Sequence, residues 1–187
     1  MQSDSSLKNQ LLIAMPGMLD PIFSTTVTLV CEHNVDGALV IVINRPMALK
    51  LGGLFEQLEL SGADTGVAEQ PGMSGGPVGM QRGYVFHGAG HSYESTLDVS
   101  NEIRLTLSRD IIDAMALGDG PDDTLVALGY AGWEAGQLED EMLANSWLNV
   151  PATPEIVFDT PFGKRWDSAA RTLGIDIASL PTDAGHA

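Results

Sequence analysis

Residues 38–43, ALVIVI, constrain this chain more than any other stretch. Apolar side chains in unbroken succession leave neither face of an extended segment for water, so the segment belongs inside a sheet covered on both sides. The turn NVDG precedes it, and before that VTLVCEHN reads as a strand, so the pair forms a hairpin. By the two-residue period of a strand, Val27, Leu29, Cys31 and His33 share one face, and Thr26, Thr28, Glu32 and Asn34 the other. Cys31 is therefore expected in the core. His33 is expected on the same face, roughly 6 to 7 Å along the strand.

The remaining segments alternate strand and helix signals. LLIAMP reads as a short buried strand ending at a Pro-Gly turn. LGGLFEQLEL places Leu51, Leu54, Phe55 and Leu58 at helical spacing, and residues 61–76 read as an extended loop. RGYVFHGAG, STLDVS and IRLTLS read as strands, and Ser108 is the expected N-cap of a helix carrying Ile111, Ile112 and Met115 to Gly118. DGPDDTLVALGYAGW gives a turn and a buried strand, SWLNVPAT a late strand, and PEIVFD a short turn or helix. A final helix in GKRWDSAARTLG turns Trp166, Ala169, Ala170 and Leu173 inward. Residues 1–10 are expected to be a flexible segment, 11–187 a single domain, and 181–187 its short tail.

Charge narrows the function classes. With 9 basic against 25 acidic residues the net charge is −16, and the cations are scattered, so no patch offers itself to a phosphate backbone. The acidity reads first as a solubilising surface. The polar start MQSDSSLKNQ lacks a secretory pattern, and LLIAMPGMLDPIF is broken by two prolines, a glycine and an aspartate before it reaches membrane-spanning length. A cytoplasmic protein without direct nucleic-acid or membrane contact is expected. Cys31 is the only cysteine, so no intrachain disulfide forms.

Catalytic motifs fail in context. Gly72-Met73-Ser74-Gly75-Gly76 fits G-x-S-x-G, but neither a good strand precedes it nor a helix follows Pro77. His87 and His91 are four apart, yet the glycines between them argue against the helix that would bring both imidazoles to one metal. Cys31 has no base within direct reach, and no phosphate-binding glycine motif is present. No cofactor and no metal are expected.

In LGYAGWEAGQLEDEMLANSWL, residues 128–148, Gly129 and Gly132 lead out of a strand and Gly136 leads into a helix beginning near Gln137. Glu139, Asp140 and Glu141 then lie in the first turn, where free amides favour negative charge. Leu138 with Met142, and Leu143 with Trp147, fall one helical turn apart. The polar or aromatic residues His33, Asn44, Arg45, His87, Trp133 and Gln137 all stand at the ends of apolar segments. If those ends converge, they line a ligand crevice in which Arg45 meets an anion and Trp133 forms a flat wall. The competing reading gives Asn44-Arg45-Pro46 to a turn and the histidines to backbone carbonyls.

AMPGMLDPIF, CEHNVDGALVIVINRP, GGPV, RGYVFH, GYAGWEAGQLEDEMLANSWL and the terminal GHA, taken in order, resemble the AlgH/YqgE family of bacterial proteins, from about residue 11 to the C-terminus. The resemblance implies an α+β domain whose bifurcated, strongly bent mixed sheet curls toward a partial barrel flanked by helices. It also implies the label of transcriptional regulator, through a link to alginate control. Without a helix-turn-helix pattern or a basic face, such regulation is expected to be indirect, through a protein or small-molecule partner. A non-enzymatic regulatory or binding domain is thus the leading expectation. The alternative is a nucleotide-type ligand binder or enzyme using His33, Arg45, His87 and Trp133.

Overall fold

The computed structural model describes residues 6–61 and 66–181. Its ten strands are β1 (Gln10–Ala14), β2 (Val27–Asn34), β3 (Gly37–Val42), β4 (Pro46–Lys50), β5 (Pro71–Ser74), β6 (Val78–Gly88), β7 (Thr96–Asp98), β8 (Ile103–Thr106), β9 (Thr124–Glu134) and β10 (Trp147–Pro151). The α-helices are α1 (Leu51–Gln57), α2 (Asp110–Ala116), α3 (Gln137–Leu143) and α4 (Arg165–Arg171). The main path runs β10-β1-β2-β3-β9-β6-β8-β7 and is antiparallel throughout.

The sheet forks on β9. One edge of that strand pairs with β3 over Ala131–Glu134 and, in parallel, with β5 at Ala127 and Leu128, while its other edge carries β6. The fork demands close backbone approach, and glycines supply it. A Cβ on Gly129 would lie 2.3 Å from the Gly76 carbonyl oxygen, and one on Gly76 2.3 Å from the Tyr130 carbonyl carbon. Gly129 also has φ +82, a region costly for residues with a side chain.

Three apolar clusters follow from the curl. The interior collects Leu11, Leu29, Ile41, Phe86, Leu105 and Ala127 from both halves of the sheet, and α4 adds Ala169 and Ala170. Outside the first half, α3 and the 15–25 loop cover Val30, Val40, Trp133 and Trp147. Outside the second half, α1 and α2 cover Val85 and Val126. The chain is an α+β domain with a curled, bifurcated half-barrel sheet, as the resemblance implied. No described helix is long and apolar enough to cross a membrane.

Several local expectations need correction. Cys31 is fully buried, but the β2–β3 register shifts between Val30 and Glu32, so Cys31 is a bulge residue. His33 then pairs with Ala38, which packs on the outer cluster, whereas Cys31 joins the interior. The bulge thus puts His33 on the opposite face from Cys31. The 61–76 loop contains β5, held by β4 and β9 rather than by its own residue preferences; its positions 62–65 lie outside the described residues. Ser108 does not cap α2: its hydroxyl donates to the Asp110 side chain and accepts the Ser95 amide. Leu143 and Leu173 are exposed: Leu143 is the terminal residue of α3, and Leu173 lies two residues past the end of α4. Residues 6–10 lie along β2, with the Asn9 amide donating to the Val30 carbonyl, while the expectations for residues 1–5 and 182–187 fall outside the described residues.

Candidate functional site

The structure brings five of the six candidate residues into one region. His33, Ala38 and Trp133 form a cross-strand row over β2, β3 and β9, with α3 lying across it. The Leu7 amide donates to His33 Nδ1 at 2.8 Å, so Nε2 carries the proton and donates to Glu139 at 2.6 Å. Gln137 accepts the Glu134 amide at 3.1 Å and donates to Glu141, whose second oxygen accepts Trp147 Nε1 at 2.9 Å. Glu139 and Glu141 of the acidic run that favours the helix start therefore have individual partners as well. Among the causes that hold the Glu139 carboxyl below its usual range, the largest is its own backbone amide, and His33 adds to it.

Asn44 and Arg45 build the neighbouring loop. Asn44 accepts the Val27 amide at 2.9 Å and donates to the Thr25 carbonyl at 3.0 Å. The Arg45 guanidinium donates to the carbonyls of Pro21, Ile22 and Ser24. These bonds present Phe23 to Trp133 and Trp147, with ring centroids 5.7 and 5.6 Å away. The ensemble is a packed aromatic corner. A hollow of about 230 Å³ takes in Arg45, and an open one of about 250 Å³ takes in Trp133; neither includes another of the six.

His87 stands apart. It pairs with Thr124, at the opposite end of β9 from Trp133, roughly 30 Å of extended strand away. Its Nδ1 donates to the Gly88 carbonyl at 2.9 Å, and the Thr106 hydroxyl lies 2.7 Å from Nε2. Burial pushes its pKa down, so the imidazole is held neutral. His91 stacks on Tyr93 rather than joining His87 as a ligand pair. Cys31 is equally sequestered: burial first, then Glu32, pushes its thiol pKa up, which removes the reactive thiolate. The Ser74 amide donates to the Arg45 carbonyl inside β5, a strand position rather than an exposed elbow.

Arg165 escaped notice in the sequence, where it is simply one of two adjacent cations. It is buried at the start of α4, donating from Nε to the Ile156 carbonyl at 3.1 Å and from Nη1 to the Ile43 carbonyl. Burial lowers its pKa to about 10, which still leaves it charged at neutral pH.

The family model described as AlgH-like matches residues 11–178. The chain belongs to the AlgH-like family. Proteins named UPF0301 from Saccharophagus degradans and Methylococcus capsulatus are 51% and 49% identical to it, over 97% and 96% of this chain and 89% and 96% of their own lengths. The solution structure of the AlgH protein from Pseudomonas aeruginosa superposes with a TM-score of 0.79 at 46% identity, covering 100% of this chain and 99% of that one. A Corynebacterium diphtheriae protein shares the fold, with a TM-score of 0.72 at 17% identity over 92% of this chain and 90% of its own. In this chain Gly76 of GGPV belongs to the glycine crossing at the fork, and CEHN contains the bulge that divides Cys31 from His33.

Proposed function

We propose that this AlgH-like chain is a non-enzymatic binding domain of the cytoplasm that regulates indirectly, by engaging a protein partner. The observation that carries the reading is the surface beside the Arg45 loop. Ile22 and Met80 line one hollow with Pro21 and Pro77, and Leu19 and Val78 stand exposed next to them in the chain. Exposed apolar side chains grouped in this way favour association. The net charge of −16 selects a partner whose apolar contact is rimmed by basic residues.

The alternative, a catalytic or ligand crevice built on His33, Arg45, His87 and Trp133, draws less support. The two histidines and the arginine spend their polar atoms on other parts of the chain, and Trp133 is buried against Phe23 and Trp147.

A photo-reactive side chain at residue 80 tests the proposal. A discrete adduct with one basic partner is expected, abolished by Ile22→Asp while circular dichroism is unchanged, alongside no turnover on ester, phosphoester and amide panels. Turnover by homogeneous protein that falls on Arg45→Ala or His87→Ala sinks the binding-domain reading.

A further inference from the structure

Where α1 and α2 meet the outer face of β6 and β9, the structure leaves an aliphatic hollow of about 220 Å³. Leu54 and Leu58 line it from α1 and its end, Ile112 from α2, and Leu107 and Leu128 from the sheet side. The four leucines are only half-buried, so each keeps apolar surface for a further group. Gly83 lies among them, paired with Leu128. A Cβ there would meet nothing within 4 Å but Leu128 Cδ2, at 3.9 Å. A missing side chain, and no strain in the strand, keeps the space open.

The charge at its rim runs against the rest of the chain. Acidic residues outnumber basic ones 25 to 9, yet the charged residues of this lining are Arg82 and Arg109, and no described lining residue is acidic. The β6–β9 ladder passes from the Val78–Tyr130 pair to the Gly83–Leu128 pair, so Gly79–Arg82 stand opposite Gly129 alone. That excursion carries Arg82 to the rim. Arg109 is fixed there by donating from Nη2 to the Leu58 carbonyl at 3.1 Å and from Nε to Asp113 at 3.3 Å. Asp113 offsets the second cation, which leaves Arg82 to set the sign. An apolar hollow with a few convergent polar groups is the usual form of a small-molecule site.

We propose that this hollow binds a medium-chain aliphatic carboxylate, its chain on the leucines and Ile112 and its head on Arg82 with Arg109 beside it. The lining holds no aromatic side chain, which favours a flexible chain over a stacked ring. A cavity of about 150 Å³ accommodates six carbons, so this one admits about eight. The net charge of −16 opposes a dianion and an anionic membrane surface alike, which leaves a single carboxylate on a small molecule. The site is separate from the Ile22–Met80 surface and does not depend on that surface having a partner.

Titration of the full chain with octanoate, followed by thermal shift and amide NMR, tests the site. Saturable stabilisation is expected, with shifts concentrated at Gly83, Leu107 and Leu128. Butanoate has four fewer methylenes to bury and is expected to bind at least about tenfold more weakly, and octanamide about fivefold more weakly. Two variants separate binding from folding. Arg82 is exposed and forms no ion pair among the described residues, so Arg82→Gln is expected to keep the ligand-free melting temperature while weakening octanoate about fivefold. Gly83→Val fills the hollow where a Cβ has room and a strand favours a branched residue, so it is expected to melt at an equal or higher temperature and to lose octanoate binding. Absence of saturation at millimolar octanoate, equal affinity for octanamide, shifts centred elsewhere, undiminished binding by either variant, or association with phosphatidylglycerol vesicles in place of octanoate overturns the proposal.

Discussion

His33 Nε2 and Glu139 Oε1 meet at 2.6 Å across 106 positions of sequence. Through this bond and the Leu7 amide on Nδ1, one imidazole fastens α3 and the N-terminal segment to β2. The Glu139 side chain is 47% exposed, so Glu139→Ala is expected to cost only about 0.5 kcal/mol. His33→Ala also leaves the Leu7 amide without its acceptor and is expected to cost about 1 to 2 kcal/mol. Because the folded-state pKa of Glu139 is depressed, its contribution is present above the unfolded value near 4.5 and disappears as pH falls through the folded value. Urea melts below pH 4.5 should therefore show the native chain losing more stability than Glu139→Gln.

His87 governs a different pH window. Its neutral form is the one the interior accommodates, and burial lowers its folded pKa below 6.5. The unfolded chain then binds the extra proton first, so stability is fully present above 6.5 and declines as pH falls toward the folded pKa. Denaturation on either side of pH 6.5 should reveal this slope in the native chain and not in His87→Gln. That variant is expected to cost about 2 kcal/mol at neutral pH through lost packing and the lost bond to the Thr106 hydroxyl, which keeps only Thr96 as a partner.

The Arg45 guanidinium can be read out optically. Arg45→Ala frees the carbonyls of Pro21, Ile22 and Ser24, which loosens Phe23 from Trp133 and Trp147. A red shift in tryptophan emission and a loss of about 1 to 3 kcal/mol are expected. Unshifted emission with unchanged stability would show that the loop holds its shape without the arginine.

The hairpin of β2 and β3 was legible because its apolar residues leave few alternatives to a doubly covered strand. The face of His33 was not, because a bulge inserts one residue at Cys31 and reverses the alternation beyond it. β5 escaped for another reason: Pro71-Gly72-Met73-Ser74 has little strand preference of its own and is extended only because β4 and β9 lie on either side. Strand-end reasoning expected Asn44, Arg45 and Trp133 to line one crevice, whereas Arg45 and Trp133 border different hollows on either side of a packed aromatic corner. It could not foresee that a loop beginning thirty positions upstream of Arg45 would take up its donors. Arg165 carried no local signal, since its burial depends on carbonyls at Ile43 and Ile156 that only the closed fold brings together.

The curled sheet also limits its own growth. Its outer margins are β10, which stops at Pro151, β7, which is three residues long, and β4 on the fork, which starts at Pro46. Each border is five residues or shorter and so offers an incoming strand only a brief ladder of free amides and carbonyls, which disfavours lateral stacking of copies.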